Sequence, residues 1–136
     1  MEINWHHKGP NIHISMSAPT EGWVAIGFNP SPGIKGTYLL MGHIEEGKPD
    51  VVEHYTLSPG NYRTLESLEC SPRVKNIRGS EKEGTSLLSF TIPTRVNSAY
   101  HQDLSEGNEY NLIIAYSRED DFQHHSMMRT SVRVEL

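Results

Sequence analysis

Gly22-Trp23-Val24-Ala25-Ile26-Gly27-Phe28-Asn29-Pro30, followed by Gly33-Ile34-Lys35-Gly36, is the stretch on which the reading of the chain turns. Trp23, Val24, Ile26 and Phe28 form a near-continuous apolar run. Neither face is left for solvent, so the run reads as a strand covered on both sides. Gly27 leaves room for a second backbone or a flat ligand to approach closely. The run ends in a loop rich in Pro and Gly over 29–36.

Outward from this strand the sequence continues in the same style. Ile12, Ile14 and Met16 alternate with His13, Ser15 and Ser17, the period of two of a half-buried strand. Strands are expected over 2–7, 11–18, 22–28, 37–46, 50–57, 73–78, 85–92, 109–117 and 128–136. Turn clusters separate them, among them Lys8-Gly9-Pro10, Glu46-Gly47-Lys48-Pro49, Ser58-Pro59-Gly60-Asn61 and Lys82-Glu83-Gly84. Residues 93–108 look irregular, and 58–72 hold at most a short strand. In the last strand Val132, Val134 and Leu136 are expected to face inward. No long amphipathic pattern of helical period appears, so the expected fold is all-β, a single domain over 1–136 built as an immunoglobulin-like sandwich of about nine to eleven strands.

The bulk numbers exclude several functions. With 12 basic and 17 acidic residues the net charge is −5, which disfavours a phosphate-binding surface, and nucleic acid is not expected as a partner. No apolar run approaches a membrane span, so direct membrane insertion is not expected. Cys70 is the sole cysteine: it can form neither an internal disulfide nor a C-x-x-C-H haem attachment, and is expected to be a buried, inert thiol. There is no G-x-S-x-G, no H-E-x-x-H and no Gly-rich phosphate loop, so the chain is not expected to be an enzyme.

Eight histidines in 136 residues are the other unusual number. Imidazole ligates haem iron, copper and zinc. His6, His7 and His101 are expected at the surface. His124-His125-Ser126-Met127-Met128 could also form a soft N/S copper site, though no required spacing stands behind it. The aromatic residues, Trp23 and Tyr62 among them, could offer a flat platform to a sugar ring, with Arg63, Asp121 and Arg129 as hydrogen-bonding groups. Trp23 and Tyr116 are equally natural as core residues.

The opening stretch, together with Gly33-Ile34-Lys35-Gly36-Thr37-Tyr38, Leu39 to Ile44, Gly79 to Thr85, Leu88-Ser89-Phe90, Ile114-Ala115-Tyr116 and Asp121-Phe122-Gln123-His124-His125-Ser126, resembles the DOMON domain family across most of the chain. The resemblance implies a β-sandwich that works outside the cytoplasm, secreted or periplasmic, with any leader or anchor lying beyond Met1. It implies a ligand held between the sheets at one end, foremost a non-covalent b-type haem serving electron transfer with a redox partner protein. A carbohydrate or other small ligand without a redox role is the alternative. It further implies His125 as an axial ligand, with His124 as the fallback and Arg129 nearby. The family's second axial ligand, the Met of G-M-x-G, falls on Ile34, which cannot donate to iron. Met41 and His43 share a strand face and could replace it or line the pocket with Trp23. If neither ligates, the haem would be five-coordinate.

Overall fold

The computed structural model describes residues 1–123 and 126–136. Their ten strands are β1 (Glu2–Lys8), β2 (Asn11–Ala18), β3 (Val24–Asn29), β4 (Tyr38–Glu45), β5 (Lys48–Ser58), β6 (Asn61–Thr64), β7 (Lys75–Lys82), β8 (Thr85–Pro93), β9 (Glu109–Tyr116) and β10 (Met128–Glu135), with a short 3₁₀ turn at Glu66–Leu68. Two antiparallel sheets form a sandwich. One has the order β1-β2-β8-β7, the other β10-β9-β3-β4-β5-β6. The hairpins follow from their turn residues. Glu46-Gly47 and Glu83-Gly84 have positive φ at both positions, the twist that joins antiparallel neighbours with a two-residue turn.

The expected alternation sets the core. Ile12, Ile14 and Met16 of β2 and Leu88, Phe90 and Ile92 of β8 meet Val24, Ile26 and Phe28 of β3 and Tyr38, Leu40 and Ile44 of β4. Leu88 packs across onto β4, where a Cβ on Gly42 would lie 2.7 Å from its Cδ1, and fills the space beside its own sheet neighbour Gly79, where a Cβ would lie 2.6 Å from its Cδ2. β3 is buried at all six positions. Its second face belongs to a smaller cluster of Trp23, Ala25, Met41 and Ala115, outside the sandwich.

Several expectations change. The strand expected at 22–28 begins at Val24, although Trp23 already bonds to the 117–119 segment: its N–H donates to the Glu119 carbonyl, and the Ser117 N–H donates to its own. The strand expected at 73–78 runs instead over β7. Val132 is 51% exposed rather than inward. It does sit on the inner side of its sheet, opposite Leu112, but β10 is an edge strand, and the main contacts between sheets fall on β2–β3, β4–β8, β5–β7 and β4–β7. Cys70 is half-buried, with its Sγ 3.4 Å from the Ser98 hydroxyl.

His101 is the largest departure, because it lies inside the sandwich. Its Nε2 is 3.0 Å from Glu53 Oε1, with both side chains almost fully buried. The Tyr38 hydroxyl donates to the same oxygen at 2.5 Å, and the backbone N–H groups of Arg73 and Val74 donate to Oε2. Burial alone raises the Glu53 carboxyl, but these bonds outweigh it and hold the group below its usual value. Burial, and then the Glu53 charge, raise Tyr38 well above the usual phenol range. This one carboxylate ties β4, β5, the 71–74 segment and the 93–108 segment together.

Candidate functional site

The candidate site lies on the outer face of the six-stranded sheet, not between the sheets as expected. Register and alternation place it there. Ala25 pairs with Met41 on one side and Ala115 on the other, and Ala115 pairs with Arg129. All four therefore share a row and a face, the one opposite Val24, Ile26 and Phe28. Trp23, Leu39, Ile113 and Tyr62 extend this face, and Ile34, Thr37, Thr56, Gln123, Ser126 and Arg129 close it into a cleft of about 200 Å³. That is below the roughly 300–1,000 Å³ of clefts that enclose a drug-sized ligand, so a larger ligand would remain partly in solvent.

The loop over 29–36 is folded onto this face by specific bonds. Buried Asn29 donates through Nδ2 to the carbonyls of Gly33 and Lys35 at 2.9 and 3.0 Å and accepts from the Ser31 N–H. The Thr37 hydroxyl donates to the Ile34 carbonyl at 2.6 Å, and the Gly36 N–H donates to the Thr56 carbonyl. Gly27 makes this possible. A Cβ there would lie 2.6 Å from Thr37 Cγ2. The close approach that Gly27 allows is thus to Thr37, and its result is that Ile34 reaches the cleft.

Four of the expected site residues, Trp23, Ile34, Met41 and Arg129, come together in the cleft wall. His43 does not line it. Its Nδ1 donates to the Asp120 carbonyl at 2.9 Å, and its ring packs on Phe122 with centroids 4.4 Å apart. His43 thereby anchors the segment before Gln123. Tyr62 does the same from β6, donating its hydroxyl to the Phe122 carbonyl. His54, buried beneath Tyr62 and Phe122, donates Nδ1–H to the Val52 carbonyl, and its burial lowers its pKa. His124 and His125 lie outside the described residues. The described residues on either side, Gln123 and Ser126, both line the cleft.

The chemistry of the wall is specific. Small residues, Ala25 and Ala115, leave a flat apolar floor. Trp23 Nε1 is buried and has no acceptor among the described residues. Such an orphaned donor costs about 1–3 kcal/mol unless something in the cleft accepts from it. Arg129, exposed at the rim, supplies a positive charge. Among the described lining residues the Met41 thioether is the one sulfur donor. This set fits a flat, mostly apolar ring that carries acceptors and negative charge at its edge. For a sugar platform the fit is narrower: Tyr38, Tyr55 and Tyr100 belong to the intersheet core, and Arg63 and Asp121 do not line the cleft. For copper, Met127 is exposed, with its sulfur 3.2 Å from Arg118 Nε, and no group of three or more metal-binding side chains occurs among the described residues.

The residues missed at the sequence level are Asn29, Thr37, Ala115 and Gln123, whereas Tyr62, expected as a platform aromatic, does line the cleft. Ala115 was within reach, because alternation in β9 puts it beside Ile113. The others depend on tertiary contacts.

A family model described as "DOMON domain" matches residues 1–117. Two solved structures share the fold. The cytochrome b domain of pyranose dehydrogenase from Coprinopsis cinerea superposes with a TM-score of 0.70 at 10% identity, covering 93% of this chain and 68% of that one. The cytochrome domain of Myriococcum thermophilum cellobiose dehydrogenase gives 0.65 at 10% identity, covering 94% and 67%.

Proposed function

The chain belongs to the DOMON domain family, and from its outer-face cleft we propose that it is a non-catalytic module that holds b-type haem non-covalently and passes electrons to or from a redox partner protein outside the cytoplasm. The observation that carries this reading is the cleft itself: a flat apolar floor, a buried Trp23 Nε1 with no acceptor among the described residues and the Arg129 cation. Two structures of the same fold are described as cytochrome domains, which supports it. In this reading His125 would hold the haem iron, since in sequence it falls between the lining residues Gln123 and Ser126. Met41 is the one described side chain that could offer sulfur from the floor. Trp23 Nε1 would donate to an acceptor of the bound group, Arg129 would balance its negative charge, and Ala25, Leu39 and Ala115 would exclude water from it. Bound haem would supply a one-electron couple, which the protein tunes through ligand choice and burial.

The test is a visible spectrum recorded while haem is titrated into the apo-protein. A saturable Soret band that moves on reduction is expected. A spectrum that stays that of free haem removes the proposal. The small volume of the cleft gives the second reading its footing: a single sugar ring accepting from Trp23 Nε1, without redox chemistry. Saturable quenching of Trp fluorescence by a monosaccharide, with no haem binding, would favour it.

A further inference from the structure

The other sheet carries a site that the haem reading leaves unused. On its outer face lies an open groove of about 860 Å³, lined by His6, Lys8, Asn11, His13, Lys75, Asn76, Arg78, Ser89 and Thr91 around the Gly9-Pro10 turn. Three of the chain's 12 basic residues gather here, and none of its 17 acidic ones lines the groove. Among the described residues no carboxylate pairs with Lys8, Lys75 or Arg78 within 4.0 Å. On a chain of net charge −5 this is a segregated cationic patch.

The backbone is bent to build it. Residues 75 and 78 of an unbroken strand would point to opposite faces. Here Lys75 pairs with Thr91 and Arg78 with Ser89, two residues apart on β8 and so on one face. The register shift between them is a β-bulge, with Asn76 at φ 55°. Asn is the non-glycine residue that adopts the left-handed region most readily, and a bulge of this kind re-aims side chains. Its product is two cations on one face. Across the sheet the same rows hold His6, His13 and Thr91, then Asn4, Ser15 and Ser89. The rings of His6 and His13 lie 5.1 Å apart, and His13 Nδ1 is 3.0 Å from the Thr91 hydroxyl. Burial, then the charges of His6 and Arg78, lower the His13 pKa. No carboxylate offsets them.

We propose that this groove binds an acidic polysaccharide segment, a polyhydroxylated chain that carries carboxylates or sulfates. Lys8, Lys75 and Arg78 pair with the anionic groups, while Asn11, Asn76, Ser89 and Thr91 exchange hydrogen bonds with hydroxyls. The groove holds no Trp, Tyr or Phe on which nucleobases would stack. It also lacks the apolar centre of a protein–protein interface, with only polar and small residues on its floor. Shape and charge together leave a hydroxylated, anionic chain as the match. The site lies on the opposite side of the sandwich from the cleft and does not depend on haem.

Calorimetric titration with a heparin octasaccharide and an octagalacturonate tests this. Neutral maltooctaose, inorganic sulfate and a poly-glutamate peptide are the comparison probes, all at low salt, about 50 mM, where screening is modest. Saturable binding of at least one acidic octasaccharide is expected, with no binding of maltooctaose and far weaker binding of free sulfate. Which of the two binds tells sulfate from carboxylate. Lys75→Glu/Arg78→Glu should weaken binding at least tenfold, while Lys48→Glu/Arg63→Glu, an equal charge change on the other sheet, should weaken it less than threefold. Melting curves establish that both variants are folded. No binding of either acidic octasaccharide overturns the proposal. So does an equal loss in the two variants, or binding of poly-glutamate as tight as that of the sugars.

Discussion

β2 and β3 follow one another in the chain, lie in different sheets and turn opposite kinds of face outward. β2 buries Ile12, Ile14, Met16 and Ala18 and leaves Asn11, His13, Ser15 and Ser17 partly exposed. β3 is buried at every position. Inward, the two strands do the same work, and each buried aliphatic side chain contributes about 1.5–3 kcal/mol. The difference lies in what covers them from outside. Over β3 fold the 29–36 loop and the 118–123 segment, with Tyr62 reaching in from β6 at the edge of the same sheet, so that its outer face becomes an apolar cleft. Among the described residues nothing folds over β2, and its outer face stays polar, flanked by cations with no carboxylate partner there. One sandwich thus offers two separate chemistries, a cleft for a flat apolar ligand and a groove for an anionic chain, joined through a common interior.

That common interior gives the largest expected effect. Glu53 lies between the two faces and belongs to neither. Glu53→Ala removes the acceptor for Tyr38, His101 and two backbone N–H groups, so it leaves several buried donors unpaired. The cost should be about 3–5 kcal/mol, the range for breaking a buried ionic network. Both sites should be lost together on melting, read as one concerted drop in thermal midpoint. Two separate transitions would break the picture of one shared core. The pH dependence has a definite sign. The folded Glu53 carboxyl is held below its usual value. Its contribution is therefore present above the unfolded carboxyl pKa and is lost as pH falls through the lower folded value. Glu53→Gln should flatten the acid limb of the stability profile, measured by denaturant unfolding across pH. An unchanged acid limb would mean the network is already formed in the unfolded chain or carries no charge.

The next two tests act on the cleft alone. His125→Ala should weaken haem binding by about 100-fold or more, since even loss of a partner behind a ligand costs about 10–100-fold. His124→Ala should do much less, because the ligand role falls on His125 in this reading. If His124→Ala is the damaging change, the ligand assignment shifts by one residue. Ala115→Phe places a ring on the apolar floor and should weaken haem by about tenfold, roughly 1.4 kcal/mol. None of these three variants should alter octasaccharide binding to the groove. If Ala115→Phe leaves haem affinity unchanged, the floor is not where the ring sits.

How much of this could be read from the sequence differs between the two faces for a physical reason. Alternation in β2, β4 and β10 sorted residues to faces correctly, and it placed Met41 and His43 on one face of β4. It could not say which face would be covered, because that depends on loops. The covering loop hangs on Asn29, whose side chain supplies the bonds that a turn type would otherwise leave to backbone. His101 misled because a histidine in an irregular stretch looks exposed. What draws it inside is Glu53, 48 residues away. The Lys75–Arg78 pair was invisible because a strict period of two puts these residues on opposite faces, and only the bulge brings them to one. Val132 was read correctly in phase and wrongly in burial, since an edge strand can face inward with nothing opposite it.

The smallest effect is expected from Ile34→Met, and it probes the cleft most finely. The Ile34 backbone is held by Thr37 and by the Asn29 bonds around it, none of which involves the Ile34 side chain. Ile and Met are close in volume, so the exchange should cost less than about 1.5 kcal/mol and leave the loop in place. What changes is chemistry: a branched alkyl group that cannot donate becomes a thioether that can. Affinity for haem should change by no more than about tenfold, the free-energy scale of one modest contact. The spectrum should change more clearly, toward the six-coordinate low-spin form expected when His and Met ligate together. The wild type should lack that form unless Met41 already supplies sulfur from the floor, in which case Met41→Leu should abolish it. The four spectra of wild type, Ile34→Met, Met41→Leu and the double variant therefore decide which wall faces the iron. If Ile34→Met leaves both spin state and affinity as they were, the 29–36 loop does not stand over the ring. The cleft would then be a platform open on that side, closer in character to the bare groove on the opposite sheet.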